Sequence, residues 1–141
     1  MSRITLAQAN KIIDAAFAKG AERKLKPLSG VVGDAGGHVQ AFQRQDGASS
    51  MRLGIALGKA AGALALGVSS RKIGEMAAER PAFVTAISGI PPHGLVPAAG
   101  GVIVKGSDGF AIGAVGITGD TSDNDEICTL AGIAAAGLTA A

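Results

Sequence analysis

The chain has 141 residues, 48% of them apolar, with one cysteine, two histidines and a formal charge of +2. These counts exclude an internal disulfide, a cysteine-based zinc cage and a three-histidine zinc site, and the charge is too small to argue for nucleic acid. The length fits one domain over residues 1–141 with a real core, which Ala, Val, Ile and Leu must fill because Trp and Tyr are absent.

Thr5 and Gln8 form a capping box ahead of Leu6, Ala9, Ile12, Ile13, Ala16 and Phe17, which share one helix face. A first helix is therefore expected to end near Gly20 or slightly later, with Pro27 closing the linker that follows. The basic residues Arg23, Lys24 and Lys26 lie in that region without an aromatic neighbour for base stacking. The segment Val31–Asp46 then reads as strand, glycine turn and strand, with Asp34, Gly36, Gly37 and His38 in the turn. Its second strand alternates Val39 and Ala41 with Gln40 and Gln43, so one face is expected to be open to water or a partner.

Ser49 or Ser50 is expected to cap a second helix running to about Leu66. In it Ser50, Gly54, Gly58 and Gly62 recur every four residues and share a face. Each glycine costs a helix about 1 kcal/mol relative to alanine, so that face is expected to pack tightly on the sheet or on another helix, with a ligand groove as the alternative. Ser69 or Ser70 starts a short helix that breaks or restarts at Pro81. Pro91-Pro92 ends helical structure, and an extended loop leads to Gly100-Gly101.

A second hairpin spans Val102–Gly119, with Lys105, Gly106, Ser107, Asp108 and Gly109 in its turn. Ser122 with Asp125 suggests a capping box for the last helix, and the acidic run suits a helix N-terminus. Two hairpins, each followed by a helix, build one antiparallel sheet with helices packed on it. Charged residues make up only 17% of the chain, against roughly 25% in an ordinary domain, which points to a homo-oligomer. The apolar stretches 53–68 and 127–141 are too short to span a bilayer, and Met1–Leu6 shows no signal sequence. A cytoplasmic protein without a membrane partner is the expectation.

The residues able to carry chemistry cluster at hairpin ends and helix starts. His38 can move a proton near neutral pH or ligate a metal or haem iron. Otherwise it is a solvated turn residue. His93 lies in the proline-glycine loop. Asp34 is a second acid/base candidate. Arg44 and Asp46 form a strand-end ion pair ahead of an Asp-Gly turn, or else line a ligand site in which the Arg44 fork holds a carboxylate. Lys59 either snorkels to water or anchors an anion in a pocket. Gly36, Gly37, Gly100 and Gly101 can bring backbone N–H groups close to an anionic ligand. The single Cys128 sits in an apolar run and reads as a buried, inert thiol. The expected site is the rim between the first hairpin turn, the start of the second helix and the loop Pro91–Gly101, completed by a neighbouring subunit in an assembly.

Taken in order, several segments resemble the GlcG/HbpS family of haem-binding or haem-degrading-type proteins. That family also includes the C-terminal domain of PduO-type cobalamin adenosyltransferases. The residues are Val32–His38, Phe42–Ala48, Ile55-Ala56, Lys59-Ala60, Gly94–Pro97, Gly100-Gly101, Ile112–Gly119 and the acidic helix start Asp123–Glu126. Ala61-Gly62 and Val102-Ile103 depart from the pattern, which more often has Thr-Ala and a proline there. The resemblance implies an α+β, profilin-like fold: a three-layer α/β/α sandwich around an antiparallel sheet of about five strands, in dimers that often form octamers. It also implies a small-molecule ligand, haem or a related tetrapyrrole, with His38 or His93 as the iron ligand. The alternative is a cofactor-independent isomerase, tautomerase or hydrolase of a small carboxylated metabolite. In that reading Asp34 or His38 is the acid/base, and Arg44 or Lys59 holds the carboxylate.

Overall fold

A computed structural model describes residues 2–141. Helix α1 (Leu6–Glu22) starts with both halves of the Thr5–Gln8 capping box formed. Strands β1 (Ser29–Asp34) and β2 (Val39–Arg44) make the first hairpin. Helix α2 (Arg52–Leu66) precedes α3 (Ser70–Glu79) and α4 (Pro81–Ile87). Strands β3 (Gly101–Lys105) and β4 (Ala111–Thr118) form the second hairpin, followed by α5 (Ser122–Ala135) and the short β5 (Thr139–Ala140).

The five strands form one antiparallel sheet in the order β2-β1-β4-β3-β5. Helices α1 and α5 pack on each other and on one face, and α2 packs on the other. This is the α+β, three-layer sandwich. The α1/α5 side holds the larger core, built from Ile12, Ile13, Val32, Val104, Val115, Ile117 and Ile133. The α2 side is thinner, with Val31, Ala56, Ala60 and Ala114 at its centre. Small residues on both partners let the α2 backbone lie close to the strands. A Cβ on Gly116 would collide with the Ala56 carbonyl, and one on Gly101 with the Lys59 carbonyl.

The structure corrects several expectations. No serine caps α2: Met51 is the N-cap residue and its side chain makes no capping bond. In α5 the cap is Thr121, whose Oγ1 accepts from the Asn124 N–H at 3.4 Å. Asp125 is not part of a capping box, because its carboxylate is engaged deeper in the fold. The Gly58 and Gly62 face meets neither sheet nor helix but the loop 93–96. A Cβ on Gly58 would stand 2.6 Å from Val96 Cγ2, and one on Gly62 3.2 Å from the Gly94 carbonyl oxygen. Gly54 faces open space. Cys128 is buried as expected, and burial pushes its thiol above the ordinary range. Among the described residues no single helix is long and apolar enough to cross a membrane.

Candidate functional site

The turn between β1 and β2 is built by Asp34. Its Oδ1 accepts from the backbone N–H groups of Gly36 and His38, both at 3.0 Å. Its carbonyl accepts from Gly37, whose φ of +82° falls where glycine is favoured. The two bonds to Oδ1, led by the one from His38, hold the Asp34 carboxyl below its ordinary range. A carboxylate spent in this way is ionised and weakly basic at neutral pH, which does not suit the proton-transfer role considered for it. The donors at 36, 37 and 38 are likewise used within the turn, so they do not form a free anion cradle.

The turn aims His38 outward, with 81% of its side chain exposed and Nδ1 3.4 Å from Asp34 Oδ1. Beside it lies a cavity of about 280 Å³. Its walls are the turn 35–38, the second half of α2 at Ala61, Leu64 and Ala65, and Pro91-Pro92-His93 of the loop. Both histidines of the chain therefore line one cavity with an apolar wall. The α2 wall is its second half rather than its start.

The other named residues lie elsewhere. Arg44 and Asp46, at the far end of β2, line a separate cavity with Phe17 and Lys26. Lys59 is 2% exposed and takes neither role considered for it. Its Nζ donates to the Ile117 carbonyl at 3.1 Å and to Asp125 Oδ2 at 3.2 Å. Burial pushes the ammonium below its ordinary range, against the pull of the Asp125 carboxylate. Gly100 and Gly101 are buried beside it. Gly101 N–H donates to Ser70 Oγ at 2.7 Å, and the Gly100 carbonyl accepts from Thr129 Oγ1 at 2.7 Å. This belt ties α2, α3 and α5 to the start of β3 and the end of β4 and is structural.

Sequence reasoning missed Asp125 as the partner of Lys59, and Ala61, Leu64 and Ala65 as cavity wall. A lysine flanked by Gly58 and Ala60 in a helix with a buried face was itself a signal that a buried acid must exist. No such signal marks an alanine as lining. Among the described residues, no group of three or more His, Cys, Asp or Glu side chains is arranged to hold a metal ion.

Residues 4–134 match the model of the family described as haem degrading protein HbpS-like. No curated protein matches the chain. Among solved structures, a Streptomyces reticuli HbpS double mutant is 25% identical with a TM-score of 0.81, covering 95% of this chain and 87% of that one. Klebsiella pneumoniae ORFY is 25% identical with a TM-score of 0.84, over 97% and 93% of the two chains. PduOC, solved as a haem complex, is 21% identical with a TM-score of 0.86 over 98% of each chain, a likeness of fold.

Proposed function

Since the chain belongs to the HbpS-like family, we propose that it is a binding module for haem or a related tetrapyrrole. The observation that carries this reading is the meeting of His38 and His93 at one apolar-walled cavity. Asp34 stands beside His38 Nδ1, where a carboxylate orients a ligating imidazole and leaves Nε2 to bind iron. Leu64, Pro91 and Pro92 offer the apolar surface a macrocycle needs. PduOC, which shares the fold, has been solved with haem. When bound, haem would supply redox or oxygen chemistry at its iron. This chain's part is to hold it, with His38 or His93 as iron ligand.

The cavity of about 280 Å³ is below the ~300–1,000 Å³ of pockets that enclose a ligand. A tetrapyrrole would be only partly enclosed, so a second copy of the chain is expected to cover the rest in a dimer-based homo-oligomer. Titration with hemin tests the reading. A saturable Soret shift is expected, reduced in His38→Ala or His93→Ala and abolished when both are replaced. A shift unchanged in the double variant, or no shift in the unaltered protein, overturns it.

A further inference from the structure

Strand β2, six residues long, is an open edge of the sheet, whereas the opposite edge is the two-residue β5. Which backbone groups β2 offers follows from its register. Gln45 N–H donates to the Leu28 carbonyl at 2.9 Å, and alternation along the strand turns Gln43 and Ala41 toward β1 as well. The N–H and C=O groups of Phe42 and Arg44 therefore face away from the sheet. Among the described residues, no turn, loop or cap supplies them with a backbone partner.

The side chains of the edge suit a second β2. Phe42 packs half-buried on the Val31 and Ala56 cluster of the α2 face, and Arg44, two residues on, leaves the strand on that same face, exposed. Among the described residues, no ion pair engages Arg44. An antiparallel copy with residue 42 opposite residue 44 sets each guanidinium beside the Phe42 ring of the other chain, twice over by two-fold symmetry. The neighbouring registers are worse. Arg44 opposite Arg44 of the partner subunit opposes like charges. Phe42 opposite Phe42 of the partner subunit brings Gln40 into the ladder, and Gln40 is the bulge residue that β1 leaves unpaired between Ala41 and Val39. One register remains, centred on Gln43.

We propose that two copies of the chain join edge to edge along β2 in this register, so that their sheets run on as one. The seam does not rest on the tetrapyrrole reading, and its test involves no haem. Gln43 then meets Gln43 of the partner subunit in a non-hydrogen-bonded pair. The Cα atoms of such a pair lie ~4.5 Å apart, within the span of a disulfide. Cys128 is the one native cysteine and is buried, so an introduced cysteine reports on its own position.

The test is disulfide cross-linking of the full chain under mild oxidation. Gln43→Cys is expected to run on a non-reducing gel as a linked dimer of twice 13.8 kDa. Arg44→Cys, whose two copies stand more than ~7 Å apart in this register, is expected to stay unlinked. So is Ser107→Cys, in the exposed turn between β3 and β4. Arg44→Pro removes an outward N–H without costing a bond to β1. It should abolish the link when combined with Gln43→Cys, and lower the mass by light scattering while keeping the circular dichroism of the unaltered chain. Equal linking of Gln43→Cys and either control overturns the proposal, as does a link that survives Arg44→Pro. A folded protein that never links through residue 43 also overturns it, and leaves the edge to an extended segment of another protein. If Arg44→Pro loses the native spectrum, the comparison among the three cysteine variants decides.

Discussion

Lys59 shows how a single buried charge organises its surroundings. Its ammonium lies 3.2 Å from Asp125 on α5, while the residue itself belongs to α2 in the other outer layer. Removing one partner of such a pair strands the other charge without compensation, which costs about 3–5 kcal/mol. Asp125→Ala is therefore expected to lower the urea midpoint strongly, and Lys59→Met combined with Asp125→Leu to recover most of the loss. A single variant as stable as the unaltered chain would show that the pair bears no such weight. Asp120 gives a second prediction at this scale. Hydrogen bonds from Asn124, then from the Lys26 and Thr121 backbones, lower its carboxyl from 3.8 to about 2. Because the folded value lies below the unfolded one, its stabilising contribution is present above pH 3.8 and lost as pH falls through about 2. Asp120→Asn should flatten the acid limb of stability in that window, as followed by circular dichroism. An unchanged slope there would refute the assignment.

At the scale of elements, α2 meets a different environment on each of its faces. Its sheet side is pressed against Gly101 and Gly116, its loop side against residues 93–96, and Gly54 meets nothing within 4 Å. Substitution by alanine separates these environments. Gly116→Ala drives a methyl group into the Ala56 carbonyl, and overpacking of this kind costs about 1–3 kcal/mol. Gly54→Ala removes the backbone-entropy penalty without a clash and should stabilise by about 0.5–1 kcal/mol. Opposite signs in thermal unfolding are the expected result, and equal signs would contradict the close approach of helix and sheet. Gly58→Ala has a third outcome, since displacing Val96 shifts the loop that carries His93 and should lower hemin affinity.

The whole molecule keeps several large apolar side chains in water, among them Ile90 at 77%, Phe110 at 75% and Met51 at 71% exposed. Ile90 immediately precedes the loop prolines of the histidine cavity. With so little surface charge, these side chains are expected to be covered by further copies of the chain. Light scattering at micromolar concentration should give a multiple of 13.8 kDa. A monomer would remove both the oligomer and the idea that a second copy completes the histidine cavity.

Local pattern was enough for most elements. The capping box at Thr5, the two glycine turns and the Pro81 restart each depend on residues within a few positions of one another, so they are legible in order along the chain. The protruding His38 was legible for the same reason, because a tight turn exposes what it carries. Strand β5 was not: two residues, Thr139 and Ala140, carry no alternation and pair only because β3 offers them an edge. The site depended still more on distance. Arg44 and Asp46 follow His38 closely in sequence, yet an extended strand carries them to the other end of the sheet. His93 is remote in sequence and joins His38 only because Gly58 and Gly62 let the loop settle onto α2. Lys59 and Asp125 each had a plausible surface role until the layers closed on them. The amino-acid order determined the elements and their turns, whose energies are local. Tertiary packing decided which charges were buried and which side chains share a cavity, because those depend on contacts between segments far apart in the chain.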